Sequence, residues 1–309
     1  MTKIPLDQKH PLSPSWRELK LLDLQSELER SGEERGDIAY TSPLWARFSL
    51  PHRNPGDVPR WEAKNDGVSL IVRPGEKRNS DGSWTNAGYP FGVIPRLALT
   101  YIATEAVRTR EPVIHMGDSQ REFMTRLGLS HGSADRRRVR SQVEALAVCT
   151  INLDRFSSTD SGWEYTDRRL PIANGHRLWV TNDDDDTAMR WGSKFFLSEE
   201  FFASIITASM PVYLDDLRAL GGSSLRHDIY VWLTYRLNSL EKPTQISWAQ
   251  LHAQFGASFT RLRDFKAKFL EALGDVLKVY EKARVRVADK TFILMPSPTH
   301  VRPRRAITE

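Results

Sequence analysis

Apolar residues recur at helical spacing in two early segments of this chain. Residues 15–32 begin with a Ser-x-x-Glu capping box, carry leucines every three to four positions and end at a glycine, which predicts one N-terminal helix. A second segment places Leu97, Tyr101 and Ile102 on one stripe, and Pro95 stands where the first residue of that helix would be. This pattern predicts a helix that starts at Pro95.

The segment between these two helices has a different character. Residues 36–92 are rich in proline and glycine, and these residues flank a single strand-like run at 68–72. We expect irregular structure there, with one short strand or hairpin.

Two later passages, residues 99–155 and 233–287, repeat the same order of features. Each begins with Leu-Thr-Tyr inside an apolar helical segment, continues through a charged turn that contains a proline, and then has a short strand-like run. The strict spacing starts after that run: a serine opens a capping box, apolar residues follow four and eight positions later, and a glycine follows nine positions later. The two sets are Ser119, Glu122, Phe123, Leu127 and Gly128, and Ser247, Gln250, Leu251, Phe255 and Gly256. Identical offsets in both passages predict two helix–turn–helix units.

The second helix of each unit carries its own apolar stripe. The stripe residues are Val139, Val143 and Leu146 in the first copy, and Phe265, Phe269 and Ala272 in the second. Because the second stripe begins two residues nearer to the glycine, we expect a shorter turn in the second copy.

Basic residues are concentrated opposite these stripes. Residues 133–146 place four arginines in five positions, and aligning the stripes superimposes Arg137 on Arg263 and Arg140 on Lys266. A buried stripe fixes how a helix is rotated, so its opposite face points outward. The N-terminal part of the second helix is the part of a helix–turn–helix that enters the DNA major groove, where arginine can bind guanine or phosphate. The alternative is a solvated face that Asp135, Glu144 and Asp264 balance.

Both second helices run into strand-like sequence, which predicts a β-hairpin wing after each. In the second copy, Val285 and Val287 alternate with arginines, and a turn precedes a strand at 291–294. In the first copy, strands at 177–181 and 190–197 flank the aspartate-rich run at 182–187, which we interpret as a solvated loop. An ordinary hairpin that closes the domain is the alternative. The predicted DNA-binding residues of helices and wings are Arg136, Arg137, Arg138, Arg140, Ser141, Thr260, Arg261, Arg263, Lys266, Lys268, Arg284 and Arg286. We expect Trp163, Trp179, Trp191 and Trp248 to be core or interface residues.

Composition narrows the class of protein further. The chain has 309 residues, which suits about two domains, and its formal net charge is +5. The single cysteine, Cys149, leaves no internal disulfide and suits a reducing compartment. No apolar run is long enough for a membrane span, and no signal peptide pattern is present, so we expect a soluble, cytoplasmic protein without a membrane partner. Phosphate-binding loops, HExxH motifs and closely paired histidines are missing from the sequence, so we predict no catalytic residues, no metal and no cofactor.

Several segments resemble the plasmid-encoded RepA replication initiators, which are theta-type, iteron-binding proteins. The resemblance spans roughly residues 40–297, and the segments that carry it are 42–56, 69–75, 89–106, 195–202 and 228–237. The resemblance implies two winged-helix domains that bind direct repeats (iterons) in duplex DNA at a plasmid origin. It also implies opening of an adjacent AT-rich region, recruitment of the host initiator and replicative helicase, and exchange between monomers and self-repressing dimers.

The resemblance also implies different DNA contacts for the two copies. The C-terminal copy would contact bases through Thr260, Arg261, Arg263, Lys266 and Lys268, and the N-terminal arginines would bind phosphate beside a dimer surface. The predicted fold is α+β: an N-terminal helix and arm (1–40), a first winged-helix domain with a β extension (41–196), a second winged-helix domain (197–297) and a basic tail (298–309). The function alternatives are a winged-helix repressor without an initiator role, a nicking enzyme and a partner-binding scaffold.

Overall fold

The computed structural model describes residues 37–159, 162–177 and 193–301. The predicted helix at 15–32, the aspartate-rich run, Trp179, Trp191, the Trp163 side chain and the tail beyond residue 301 lie outside the described residues. Helices of the described part are α1 (Leu44–Arg47), α2 (Val93–Thr109), α3 (Gln120–Arg126), α4 (Ser133–Val148), α5 (Glu199–Ala208), α6 (Leu214–Leu220), α7 (Ser224–Leu237), α8 (Trp248–Phe255) and α9 (Leu262–Val279). None of these helices is both long and apolar enough to cross a membrane.

Short antiparallel strands complete a mixed α+β fold, as predicted. They are β1 (Ile38–Thr41), β2 (Trp61–Asn65), β3 (Val68–Arg73), β4 (Glu76–Arg78), β5 (Trp84–Asn86), β6 (Val113–His115), β7 (Thr150–Thr159), β8 (Gly162–Arg169), β9 (Ala173–Arg177), β10 (Lys194–Leu197), β11 (Met210–Tyr213), β12 (Thr244–Ser247), β13 (Val285–Val287) and β14 (Thr291–Leu294). The sheets are β1-β11, β2-β3-β7-β8, β4-β5, β6-β10-β9 and β12-β14-β13.

The two repeated passages fold with the same element order as far as the second helix of each helix–turn–helix. A long buried helix (α2 or α7) leads into a short strand and then into the two helices. A hairpin follows directly in the second copy, and only after β7 and β8 in the first. In both copies the short strand pairs with the last strand of the hairpin, which gives the equivalent orders β6-β10-β9 and β12-β14-β13. The predicted helix–turn–helix pairs are therefore α3–α4 and α8–α9.

The two capping boxes differ in detail. Ser247 and Gln250 form the complete box, since each side chain accepts a hydrogen bond from the other residue's backbone N–H. The Ser119 hydroxyl accepts from the Glu122 N–H, but the Glu122 carboxylate accepts from the Asp118 N–H at 2.7 Å, one residue before the N-cap. The predicted box is therefore only half formed in the first copy.

Two sequence predictions, one about a helix start and one about the length of a turn, were wrong. Helix α2 begins at Val93, not at Pro95. Pro95 is tolerated as the third residue of the helix, because N–H groups in the first turn have no intrahelical partner. The turn of the second copy is not shorter, because residues 127–132 and 256–261 both connect their helices with six residues. The stripe of α9 simply starts nearer to its N-terminus: Phe265 is the fourth residue of α9, whereas Val139 is the seventh of α4.

The largest departure from the sequence analysis lies directly after α4. Strand β7 begins at Thr150, but it pairs with β3 and β8 in the four-stranded sheet and does not form the first hairpin. That hairpin comes later, from β9 and β10, and β9 starts at Ala173, not at residue 177. Asn174 and Gly175, an ordinary turn signal, lie inside this strand, with Gly175 opposite Phe196. The predicted strand at 68–72 is present within β3.

One hydrophobic core connects the two copies. Buried apolar side chains of α2, α4, α7 and α9 belong to a single contiguous cluster. Strand β1, which precedes the first copy, pairs with β11, which precedes the second. The two copies therefore share one core and one strand pair.

Candidate nucleic-acid interface

Helix α4 presents most of its arginines away from the core. Val139, Val143 and Leu146 are completely buried, which fixes the rotation of the helix. Arg137 and Ser141 are exposed on the opposite face, and exposed Arg138 and half-buried Arg140 lie at the edges of that face. Arg136 is half-buried, because it stands three residues before Val139 and therefore lies beside the buried stripe.

Most of this charge is unpaired within the described part of the chain. Arg136, Arg137 and Arg140 make no ion pair with any described residue, and Arg138 lies 3.5 Å from Asp135. Asp135 also accepts a hydrogen bond from Ser130. Glu144 instead binds Lys77 at 2.8 Å, so it neutralises a neighbouring hairpin and not the arginines of α4. The N-terminal half of α4 is therefore strongly cationic, and the positive end of the helix dipole adds to it.

A cleft runs along this helix. Arg137, Arg138 and Ser141 line it on one side, and Arg218 and the Gly221 backbone line it on the other. Arg218 belongs to α6, which lies between the two copies, and it donates from Nε to the Arg126 carbonyl at 3.2 Å. Arg218 was not predicted from the sequence, because nothing in the spacing of α6 relates this residue to the end of α3.

Helix α9 is built in the same way. Phe265 and Phe269 are completely buried and Ala272 nearly so. Arg263 and Lys268 are exposed on the helix itself, and Thr260 and Arg261 are exposed in the turn directly before it. Its surface ion pairs are Arg261–Asp264 at 2.7 Å, Arg263–Asp264 at 3.6 Å and Lys268–Glu271 at 2.7 Å. The Arg263 side chain remains 83% exposed, so its long contact with Asp264 leaves the guanidinium accessible to a ligand.

Lys266 has different surroundings from the other basic residues of α9. It is half-buried, its ammonium donates to the Asp289 carbonyl at 3.1 Å, and its Nζ lies 4.8 Å from the Trp248 ring centroid. Trp248 is itself a core residue, as predicted, and its indole N–H donates to the Ala288 carbonyl. Lys266 therefore connects α9 to the turn of the second hairpin.

That second hairpin has the two faces that its alternation predicts. Val285 and Val287 lie opposite the buried residues Leu294 and Phe292, while Arg284 and Arg286 are exposed. Val287, at the end of its strand, stays 38% exposed. The residues of the predicted turn, Ala288 to Lys290, connect the strands.

A further hairpin beside α4 was not predicted. Strands β4 and β5 form it, and Lys77 attaches it to α4 through Glu144. Its Trp84 is 62% exposed. The Asp-Gly pair at its turn is a recognised hairpin signal, but the surrounding segment lacks the alternation that would have identified strands.

Two observations concern the metal-binding and nucleophilic side chains of the described residues. Within ranges 37–159, 162–177 and 193–301, no group of three or more His, Cys, Asp and Glu side chains could hold a metal ion. Burial raises the pKa of the Cys149 thiol to about 12, so this thiol stays protonated at neutral pH.

Comparisons with known proteins agree with this architecture. Among solved structures, RctB domains 2-3 (RctB-155-483) match with a TM-score of 0.50 at 9% identity, over 81% of this chain and 94% of that one. A selenomethionine derivative of RctB domains 2 and 3 matches with a TM-score of 0.52 at 11% identity, over 84% of this chain and 98% of that one. At such identities the likeness concerns the fold alone. No curated protein sequence matches the chain.

A family model provides the stronger result. The family described as "Plasmid encoded RepA protein" matches residues 89–250, from the start of the first repeat into the first helix of the second helix–turn–helix. The match covers 162 of the 309 residues, more than half of the chain. The chain therefore belongs to the family of plasmid encoded RepA proteins.

Proposed function

We propose that this protein is a plasmid replication initiator that binds direct repeats in duplex origin DNA through two winged-helix units. The observation that carries the proposal is the duplicated cationic second helix: α4 and α9 each bury an apolar stripe and expose arginines on the N-terminal half of the other face. That half is the part of a helix–turn–helix that enters the major groove.

The strand order supports the winged-helix assignment. Each unit combines a helix–turn–helix with a hairpin whose last strand pairs with the strand before the first helix. The hairpin of the second unit exposes Arg284 and Arg286, and Lys266 holds its turn against the recognition helix. A wing in this position would contact the DNA backbone next to the groove that α9 enters.

Family membership supports replication initiation over other uses of the same fold. On this basis the second unit contacts bases through Thr260, Arg261, Arg263 and Lys268, and the arginines of α4 bind phosphates. The protein also opens the neighbouring AT-rich DNA, recruits the host initiator and helicase, and represses its own gene as a dimer. It acts by binding in the cytoplasm, without catalysis and without a cofactor.

The direct test measures binding to a labelled duplex from the plasmid's own origin, and to a shuffled duplex, over a series of salt concentrations. We expect strong preference for the repeated origin DNA. If about eight phosphates are contacted, log K should fall with log salt at a slope of about −7. Arg137→Ala combined with Arg263→Ala should reduce both affinity and slope. Arg108→Ala combined with Arg110→Gln, which removes two exposed arginines at the end of α2, is the charge-matched control.

The other functions give different results in the same experiment. A repressor without an initiator role would prefer only the promoter of its own gene. A nicking enzyme would convert supercoiled origin plasmid to the open form in the presence of a divalent metal. A partner-binding scaffold would show no salt-sensitive DNA affinity. Any of these outcomes would replace the proposal.

A further inference from the structure

The two repeats are connected by a buried ion pair. Arg96 of α2 donates from Nε to Asp228 Oδ1 at 2.6 Å and from Nη2 to Oδ2 at 2.7 Å, and Asp228 lies in α7. The residues are only 9% and 5% exposed. A bidentate guanidinium–carboxylate pair has one preferred geometry, so this contact fixes the angle between the two helices as well as their distance.

The remaining donors of Arg96 are also occupied. Nη1 donates to the Gly92 carbonyl at 2.7 Å and to the Pro51 carbonyl at 3.3 Å, and Nη2 donates to the Leu50 carbonyl at 2.6 Å. The guanidinium therefore holds the start of α2, the segment before it and the second repeat together. Separating the repeats would leave a charge buried without its partner, which is strongly unfavourable.

Four further hydrogen bonds reach across the same boundary. His52 bonds to the Ser224 hydroxyl at 2.9 Å and to the Phe255 carbonyl at 3.1 Å, and Gln254 donates to the Ala46 carbonyl at 2.9 Å. The fourth is the hydrogen bond from Arg218 to the Arg126 carbonyl. We call these contacts and the Arg96–Asp228 pair the inter-repeat joint.

The inter-repeat joint contacts the first helix of each helix–turn–helix. Phe255 ends α8, the first helix of the second helix–turn–helix, and Arg126 ends α3, the first helix of the first one. Each helix–turn–helix is thus bonded to residues outside its own repeat at the point where its turn begins. A change in the angle between the repeats would break these bonds together.

We propose that the inter-repeat joint, centred on Arg96 and Asp228, makes the protein select one spacing and one helical phase between the two half-sites that α4 and α9 contact. This inference rests on the proposed function. Each base pair inserted between two half-sites moves one of them by about 3.4 Å and turns it by about 35° around the duplex axis. A protein whose two units are joined by a flexible linker can still contact both half-sites after such a displacement, whereas a protein with a rigid joint cannot. Arg96 and Asp228 are then positioning residues that set specificity without touching DNA.

The test uses the full chain and a duplex library built on the origin repeat, with half-sites first mapped by footprinting. Members of the library differ by insertion or deletion of one to five base pairs between the half-sites. Wild-type protein should prefer one spacer. One inserted base pair should weaken binding about tenfold, and five should reduce it to the level of a single unit.

Two variants test the role of the ion pair. Asp228→Asn keeps the shape of the side chain and removes its charge, so spacer discrimination should fall to within about threefold. Arg96→Met with Asp228→Leu removes both charges and leaves no unpaired ion, so it supplies the measurement if the single variant does not fold. Arg218→Gln removes the half-exposed hydrogen bond to the Arg126 carbonyl in the same joint. This variant supplies the measurement if neither of the other two folds.

A matched ion pair within one repeat provides the control. Arg226 of α7 and Asp275 of α9 form a pair at 2.7 Å inside the second repeat; their side chains are 9% and 17% exposed, and Asp275 also binds Lys278 at 3.1 Å. Asp275→Asn should lower stability and leave spacer discrimination unchanged. If Asp275→Asn and Asp228→Asn reduce discrimination alike, the joint has only a structural role and the inference is wrong.

The outcomes separate this inference from the proposed function. Wild-type protein that does not prefer origin DNA over the shuffled duplex would overturn the proposed function itself. Specific origin binding that tolerates every spacer equally would overturn the fixed-spacing inference and leave the initiator proposal intact.

Discussion

At the residue scale, the exposed arginines of α4 and α9 differ in what surrounds them. Arg137 is the fifth residue of α4 and has no charged partner in the described part of the chain. Arg263 is the second residue of α9, next to the turn, and only a 3.6 Å contact with Asp264 restrains it. A side chain at the very start of a recognition helix is better placed to reach base edges than one a full turn later.

We therefore expect different losses when each arginine is removed. Arg137→Ala should weaken binding to specific and random duplexes by the same factor, because a phosphate contact carries no sequence information. Arg263→Ala should weaken specific binding by about 1–3 kcal/mol, because a bidentate contact with guanine would be lost, and should relax the choice of base at one position. Competition binding with single-base variants of the origin repeat measures both effects. Equal loss of specificity in the two variants would contradict the division between phosphate and base contacts.

Helical periodicity predicts the outward position of Lys266 but not its contacts. The alignment of stripes places Lys266 on the outward face with Arg263, and the structure agrees that it is not in the core. Periodicity carries no information about the next element, however. The ammonium binds the Asp289 carbonyl and lies over Trp248 because the hairpin folds back onto the helix, a contact between positions 23 residues apart.

At the element scale, the glycine of the first turn has a conformational role. Gly128 has φ +67°, its N–H donates to the Thr125 carbonyl, and the Leu129 N–H donates to the Met124 carbonyl, the paired hydrogen bonds that end a helix in the left-handed region. A Cβ at Gly128 would also lie 2.8 Å from Cγ of Arg218. Gly274, inside α9, has neither constraint: nothing lies within 4 Å of the position of its Cβ.

Alanine at these two glycines should change stability in opposite directions. Gly128→Ala should lower the free energy of unfolding by about 1 kcal/mol or more, because alanine is strained at positive φ and the new methyl group would collide with Arg218. Gly274→Ala should raise it by about 0.5–1 kcal/mol, because alanine loses less backbone entropy in a helix. Urea unfolding at neutral pH measures both. A neutral result at Gly128 would show that the turn does not need the left-handed conformation.

The elements themselves were predictable where the determining contacts are local. Apolar stripes and capping residues identified both helix–turn–helix pairs, since a helix depends on residues three and four positions apart. The four-stranded sheet was not predictable in this way. Leu153 of β7 lies opposite Leu70 of β3, and a pairing across that sequence separation leaves no spacing signal in either strand. The sequence therefore predicts a strand after α4 but not its pairing with β3.

At the scale of the whole molecule, single charged residues inside apolar helices mark the contact between the repeats. Arg96 follows Val93 and Ile94 in an otherwise apolar helix start, and His227 and Asp228 interrupt the apolar face of α7. These interruptions were visible in the sequence, but their pairing across 132 positions was not. The same cluster contains two buried histidines, His52 and His227, and these make the stability of the whole chain depend on pH.

Burial is the main cause of that pH dependence. It lowers the pKa of His52 and of His227 to about 4, and the Arg96 guanidinium lowers both further than the Asp228 carboxylate can restore. In the unfolded chain both rings have a pKa near 6.5. Below pH 6.5 the unfolded state therefore binds protons that the folded state does not. The stabilisation is complete above pH 6.5 and is lost as the pH falls to about 4, by on the order of 3 kcal/mol for each histidine.

We expect the free energy of unfolding to fall between pH 6.5 and pH 4, with a slope of up to about 1.4 kcal/mol per pH unit for each histidine. Carboxylates begin to titrate near the lower limit, so the informative quantity is a difference between variants. His227→Gln should remove one histidine's share of the slope, although the loss of its bond to the Gly221 carbonyl lowers stability at every pH. His131→Gln, an exposed histidine beside Thr125, should leave the slope as in the wild type. Urea unfolding at half-unit pH steps measures each slope. If His227→Gln has the wild-type slope, the His227 ring accepts its proton while the chain is still folded, and this histidine does not contribute to the acid sensitivity.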